Sequence, residues 1–420
     1  MIKTVSFSKP LKGEITIPAD KSISHRAVMF SALANGKSLI RNFSNGADCH
    51  STLNLFKQLG INSEFTDSKT ILIEGGKLKG SNPIPLACNN SGTTMRLVSG
   101  ILAGQNFDSV LTGDVSLSKR PMKRIIEPLT LMGADITSVD GHAPITIRGQ
   151  KLHGIEYNSP IASAQVKSAI LLAGLNAEGK TTVKEPYPSR DHTELLLKYL
   201  GANIDGTTIY PSELTAKDID IVGDISSAAF FIAAGLIVKG SDFVIKNVGI
   251  NPTRTGILDI VQRMGGAVNI FNEREVSGEP CADIRVQYTE SLKSCTIEGA
   301  DIPKLIDELP VIAVLASQAD GETIIKDAGD LRNKESDRIS CLVKELKKIG
   351  VDIEEHLDGF VVRKSELKGN AELECCHDHR LAMSFYIAGL ICKQAIAING
   401  FEWTKISFPE FEELINSLYN

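Results

Sequence analysis

Cationic, hydroxyl and carboxylate side chains gather at five points along this sequence, each at or just ahead of an apolar, helix-like run. Residues 19–26, ADKSISHR, set Lys21, Ser22 and Arg26 before a helix beginning near Ala27. Helix N-termini attract anions, and an ammonium, a hydroxyl and a forked guanidinium together suit a phosphate or carboxylate. NNSGTTMR places Asn90, Ser91 and Gly92 before a helix with Arg96 on its first turns, and Gly92 lets a ligand approach the backbone. SLSKRPMKR crowds Lys119, Arg120, Lys123 and Arg124 into a turn with no acidic residue after Asp114. In the second half, RNKESDR brings Lys334, Glu335 and Arg338 within about one helical turn, and HDHR puts Asp378, His379 and Arg380 ahead of another apolar helix. Each cluster taken singly also fits an ordinary capped or ion-paired helix start. Their shared place, where a strand hands over to a helix, is where α/β scaffolds tend to bind ligands.

Two other patterns carry less. GLNAEGKT, residues 174–181, matches the phosphate-loop spacing, but an apolar helix precedes it and a strand follows, the reverse of the required order. CCHDH, residues 375–379, has the composition of a zinc site, yet no second ligand pair lies at finger-like spacing. A metal-free reading follows.

The elements that must position these clusters recur. An apolar helix-like run ending in a small-residue turn and then a strand appears six times, with turns near residues 36, 104, 179, 240, 321 and 394. The period of roughly 70 residues is too long for a solenoid repeat and right for a supersecondary unit. A second helix closing on a glycine turn into a strand follows each copy, as in LFKQLGINSEF and LLKYLGANI. The last copy stops at the helix FEELINSLYN, whereas residues 4–17 read as strands without a helix, so the N-terminal strands are expected to complete the last repeat. The repeat count predicts two α/β lobes of three units each, one from residues 1–18 plus 222–420 and the other from 19–221.

With 420 residues, 42% hydrophobic and 23% charged, the chain can bury several cores. It has no basic-then-apolar leader and no apolar run near the ~18 residues of a membrane span. Its eight cysteines lie mostly in apolar segments and read as reduced core thiols. A cytoplasmic protein without membrane contact is the expectation. A net charge of −6 argues against nucleic-acid binding, so anion affinity must come from the local clusters.

DKSISHRA, NSGTTMR, SAQVKSAILLAGL, SRDHTE, IDELPV, KESDR and DHRLAMS stand in the order and approximate spacing of one enzyme family. On these motifs the chain resembles the 5-enolpyruvylshikimate-3-phosphate (EPSP) synthases over essentially its full length. The resemblance implies a two-lobed inverse α/β barrel, each lobe three βαβαββ repeats with pseudo-threefold symmetry, and an active site in the cleft between lobes. It implies that Lys21, Ser22, Arg26, Ser163, Gln165 and Arg190 bind shikimate 3-phosphate, with Lys334 and Asp307 on the same substrate. Phosphoenolpyruvate falls to Lys21, Gly92, Arg120 and Gln165, with Arg338, Arg380 and Lys405. Asp307 looks like the base for the attacking hydroxyl, Glu335 like the acid for the vinyl carbon, and Lys21 serves beside them; Asn90 and His379 support the site. Two positions depart from the usual pattern, Ala19 and Asn89, where the family often has glycine.

The chemistry this implies is governed by charge. Two unit charges about 4 Å apart repel by roughly 4 kcal/mol at an effective dielectric near 20, so two polyanionic substrates need a cationic cage. Lys21, Arg26, Arg120, Arg190, Lys334, Arg338, Arg380 and Lys405 would supply it, with no metal or organic cofactor. Lobes that close around ligand, a monomeric chain, and inhibition by the phosphoenolpyruvate-like herbicide glyphosate are further expectations. The rivals are a sister transferase acting on UDP-N-acetylglucosamine, a non-catalytic phosphoanion-binding paralogue and a nucleotide-dependent enzyme built on residues 174–181. The turn GDVSLSKRP lacks the cysteine usual in the first, and the second would be expected to lose Asp307 or Glu335.

Overall fold

The computed structural model describes residues 1–80 and 85–419. The chain divides into two compact units, one of residues 1–18, 222–274 and 280–420, the other of 19–221 with 275–279.

The unit built on residues 19–221 contains helices α1 (Lys21–Leu33), α2 (Ala47–Gln58), α3 (Gly92–Ala103), α4 (Lys123–Leu131), α5 (Ala164–Gly174) and α6 (His192–Tyr199). Its three four-stranded sheets share one plan. In the second, Leu86–Ala87 lies parallel to Ser109–Thr112, which pairs antiparallel with His142–Arg148 and through it with Asp135–Val139. The sheets on Gly36–Arg41 and Thr181–Lys184 repeat that order. A parallel pair needs a crossover, and α3 or α5 provides it in the second and third sheets. These helices are buried nearly all round and pack on each other. A methyl at Gly100 would lie 2.1 Å from the Ala169 carbonyl oxygen, so glycine there sets how closely α3 and α5 approach.

The other unit holds α7 (Ile225–Ile237), α8 (Gly256–Arg263), α9 (Ile302–Leu305), α10 (Leu309–Ala316), α11 (Arg338–Lys348), α12 (His379–Gly389) and α13 (Phe411–Ser417). Every residue of α7 and α10 is buried, as expected of helices apolar on all faces, and both pack with α12 at the centre. Around them α8 and α11 bury one stripe each, Ile257, Leu258, Ile260 and Val261 in the first and Ile339, Leu342, Val343 and Leu346 in the second.

The N-terminal strands part company. Ile2–Val5 pairs antiparallel with Ile396–Asn399 in the last repeat, whereas Lys12–Thr16 lies parallel to Asp242–Gly249 in the sheet that follows α7. Reciprocally, Ile219–Asp220, just ahead of α7 in sequence, runs parallel to Gly36–Arg41. At each crossing, therefore, the strand preceding the first helix of one unit belongs to the other unit's sheet. Periodicity alone assigned both N-terminal strands to the last repeat because it carries no information on which neighbour an edge accepts.

Candidate active site

In the unit of α1–α6, the predicted ligands sit on the first turns of the inner helices and the loops before them. Asp20 caps α1 by accepting from the Ile23 amide at 2.8 Å, which leaves Lys21 and Ser22 on the first turn. Lys21 Nζ meets Asp48 of α2 at 2.8 Å. Arg26 is buried, donating to Thr193 Oγ1 at 2.7 Å, to Ser168 Oγ at 2.9 Å and to the Ser22 carbonyl at 2.9 Å. Burial pulls its basicity down to about 10, against the opposing pull of Glu194. Arg26 thus braces α1 against α5 and α6, in addition to any contact with substrate.

At α3, Ser91 caps the helix through Thr94 N, and two guanidinium groups converge on Gly92. A Cβ there would lie 3.3 Å from Arg96 Nη1 and 3.4 Å from Arg120 Nη1. Arg120 Nη2 donates to Asn90 Oδ1 at 3.1 Å, and Asn90 in turn donates to Asp114 at 2.7 Å. Of the basic turn, Arg120 is half-buried beside Gly92, whereas Lys119, Lys123 and Arg124 are exposed. Arg96 also donates to Gln165 Oε1 of α5, whose amide donates to Thr93 Oγ1 at 3.0 Å. The structure so joins Gln165 to the Gly92 turn, a link that motif reading did not contain. Ser163 is the residue before α5 with no side-chain cap bond, and its amide donates to Glu185 at 2.7 Å.

Beneath Ser163 and Arg190 lies a buried ion cluster missing from the sequence reading. Lys167 Nζ meets Glu194 at 2.8 Å, Glu185 at 3.2 Å and the Ser189 carbonyl at 3.1 Å, and Glu185 takes the Ser189 hydroxyl at 2.7 Å. Burial raises the Glu194 carboxyl, with Lys167 opposing. The cluster ties the Ser163 turn to the Ser189–Arg190 loop. A lysine inside the apolar run VKSAILLAG was the available signal.

In the other unit, Arg338 is the centre. It opens α11, where Asp337 caps, and it is 2% exposed. Its Nε donates to Asp378 at 2.7 Å, Nη2 to Glu335 at 2.7 Å and Nη1 to Asp307 at 3.4 Å. Although burial alone would lower it, Asp378, then Glu335 and Asp307, carry its basicity above the ordinary arginine value. Lys334 Nζ stands 3.8 Å from Asp307 and 3.4 Å from Asp330. Asp378 caps α12 by accepting from the Arg380 amide at 2.8 Å, and Arg380 reaches buried Glu308 at 3.5 Å. His379, also buried, stands between the two. Lys405 is exposed on the turn Phe401–Ile406 and makes no ion pair with this cluster.

One buried histidine sets a pH dependence. His25 of α1 is fully buried and, chiefly by desolvation, held to about 3, so it stays neutral when folded. Between about pH 6.5 and 3 the unfolded chain takes up a proton that the folded chain refuses. Unfolding resistance should fall by as much as ~1.4 kcal/mol per pH unit as the pH drops through that window, and His25 should add no slope above it. Urea unfolding at pH 7, 6 and 5 is expected to show this slope in the wild type and its reduction in His25→Asn.

Among the described residues no group of three or more His, Cys, Asp or Glu side chains gathers as a metal site, no helix is long and apolar enough to cross a membrane, and the eight cysteines are free.

The fold, with carboxylates and cations at the helix starts of both units, is that of the enolpyruvyl transferases. The enolpyruvyl transferase NikO from Streptomyces tendae has the same fold at 17% identity, with a TM-score of 0.80 over 99% of this chain and 97% of that one. A sequence model described as EPSP synthase (3-phosphoshikimate 1-carboxyvinyltransferase) matches residues 5–415. The 3-phosphoshikimate 1-carboxyvinyltransferase of Thermodesulfovibrio yellowstonii is 50% identical over the whole of both chains. EPSP synthase from Acinetobacter baumannii superposes with a TM-score of 0.88 at 44% identity, covering 99% of this chain and 98% of that one. The chain belongs to the EPSP synthase family, the carboxyvinyltransferases of the shikimate pathway.

Proposed function

We propose that the chain transfers the carboxyvinyl group of phosphoenolpyruvate to the 5-hydroxyl of shikimate 3-phosphate and releases phosphate. Glu335 gives a proton to the methylene carbon, which leaves an oxocarbenium-like centre. Asp307 takes the proton of the 5-hydroxyl as that oxygen attacks, and reversal of the two proton transfers expels phosphate from the tetrahedral adduct. The observation that carries this reading is the triad Asp307, Glu335 and Arg338, in which one buried guanidinium holds both acids in fixed positions.

Lys21, Ser22, Arg26, Ser163, Gln165 and Arg190 take shikimate 3-phosphate, with Lys334 beside the reacting hydroxyl. Gly92, Arg120, Arg338 and Arg380 clamp phosphoenolpyruvate, joined by Lys21, Gln165 and Lys405, while Asn90 holds Arg120 in place. His379 supports the turn before Arg380. A cytoplasmic location fits the free thiols.

The test is phosphate release from phosphoenolpyruvate with shikimate 3-phosphate and, separately, with UDP-N-acetylglucosamine. Release with the first alone supports the reading; release with the second alone reassigns the acceptor, and release with neither overturns catalysis. Gly92→Ala offers a second check. The added methyl would lie 3.3 Å from Arg96 Nη1, which must give by a few tenths of an ångström, and 3.4 Å from Arg120 Nη1, at the edge of ordinary contact. Glyphosate inhibition is expected to weaken by roughly tenfold or more, with a smaller rise in KM for phosphoenolpyruvate.

A further inference from the structure

Helix α2 carries polar groups on its buried surface. Asp48, Ser51 and Thr52, at spacings i, i+3 and i+4, share one side of the helix and are all buried. Each has a partner on a substrate-facing segment. Asp48 holds Lys21 at 2.8 Å. Ser51 Oγ accepts from Asn89 Nδ2 at 2.9 Å, and Asn89 is held in the left-handed region, at φ 49°. Thr52 Oγ1 lies 2.6 Å from His25 Nδ1 and 2.7 Å from Thr94 Oγ1, which donates to Ser91 Oγ at 2.7 Å.

These bonds form a chain with one proton order. Because the Thr94 hydroxyl donates to Ser91, Thr52 must donate to Thr94, and His25 Nδ1–H must donate to Thr52. His25, kept neutral by burial, must then carry its single ring proton on Nδ1. Asn90, covalently joined to Ser91, accepts from Arg120.

We propose that Thr52 is a positioning residue for phosphoenolpyruvate: through Thr94 and Ser91 it fixes the Asn89–Gly92 turn, and so Arg120, relative to the first turn of α1. The proposal rests on the site assignment above. Its selectivity follows from the anchors each segment has. The α1 turn keeps the Asp20 cap, the Lys21–Asp48 pair and the bonds of Arg26 to Thr193 and Ser168, all independent of Thr52. The Asn89–Gly92 turn is tied to Asp114 by the Asn90 side chain and the Asn89 carbonyl, but its ties to α2 run through Thr52 and Ser51.

Steady-state kinetics of Thr52→Val, Thr52→Ser and Thr94→Val test this. Valine keeps the shape and removes both hydrogen bonds; serine keeps the hydroxyl. KM for phosphoenolpyruvate is expected to rise roughly tenfold in Thr52→Val, with KM for shikimate 3-phosphate and kcat changing less than about threefold, and Thr52→Ser should restore most of the loss. Folded Thr52→Val with an unchanged KM for phosphoenolpyruvate overturns the proposal, as does an equal rise for both substrates, which would mark a merely structural role. If Thr52→Val does not fold, Thr94→Val, which breaks the same line of hydroxyls at its next member, decides: a selective rise in KM for phosphoenolpyruvate supports the proposal, and no rise overturns it. Absence of wild-type activity would instead overturn the site assignment on which it stands.

Discussion

Asp307→Asn is expected to lower kcat by about 10²- to 10⁴-fold, the usual contribution of a positioned general base, while KM for each substrate moves by less than about fivefold. Asparagine keeps the size of the side chain and an oxygen for Arg338 Nη1 and Lys334 Nζ, now 3.4 and 3.8 Å from Oδ1. It cannot take a proton from the attacking hydroxyl. Single-turnover measurement of phosphate release separates this loss from slow product release. A kcat within tenfold of wild type would remove Asp307 from the role of base and shift attention to Glu335, which the same guanidinium holds.

Arg338→Met carries the second large effect, on stability as well as activity. Arg338 and Asp378 are 2% and 0% exposed as side chains, and Glu335 and Asp307 are 22% and 17% exposed around the same guanidinium. Without the cation, Asp378 keeps a buried negative charge whose remaining partners are uncharged groups such as Ser336 and the Arg380 amide. Breaking a buried pair from one side costs about 3–5 kcal/mol, mostly from the charge left behind. Urea unfolding should show the loss, and phosphoenolpyruvate turnover should fall below detection. The double variant Arg338→Met with Asp378→Asn should recover part of the stability and none of the activity, because the buried charge is gone but the clamp is still missing. Recovery of neither would show that the packing of the guanidinium, not its charge, dominates at this site.

What the linear sequence contained was local in character. Ser91, Asp337 and Asp378 as caps, the apolar runs of α7 and α10 and the small-residue turns are decided by neighbours a few residues away, so the six repeats and the handover points carrying Lys21, Gly92, Arg338 and Arg380 could be read directly. The motifs then named the family.

Tertiary structure decided what bridges long separations. Asp307, Glu335 and Asp378 meet one guanidinium across 31, 3 and 40 residues, and Arg26 reaches Ser168 and Thr193 across 142 and 167. Lys167 with its two glutamates was hidden for the same reason, since the spacing of charges along a chain does not say which of them share a desolvated volume. Nor did the α2 hydroxyls announce themselves, because Ser51 and Thr52 read as ordinary surface residues until α1 and α3 are folded against them. The pairing of Lys12–Thr16 with Asp242–Gly249 and of Ile219–Asp220 with Gly36–Arg41, far apart in sequence, follows from strand pairing, where backbone groups of any sequence can bond and register against a partner sheet sets the outcome.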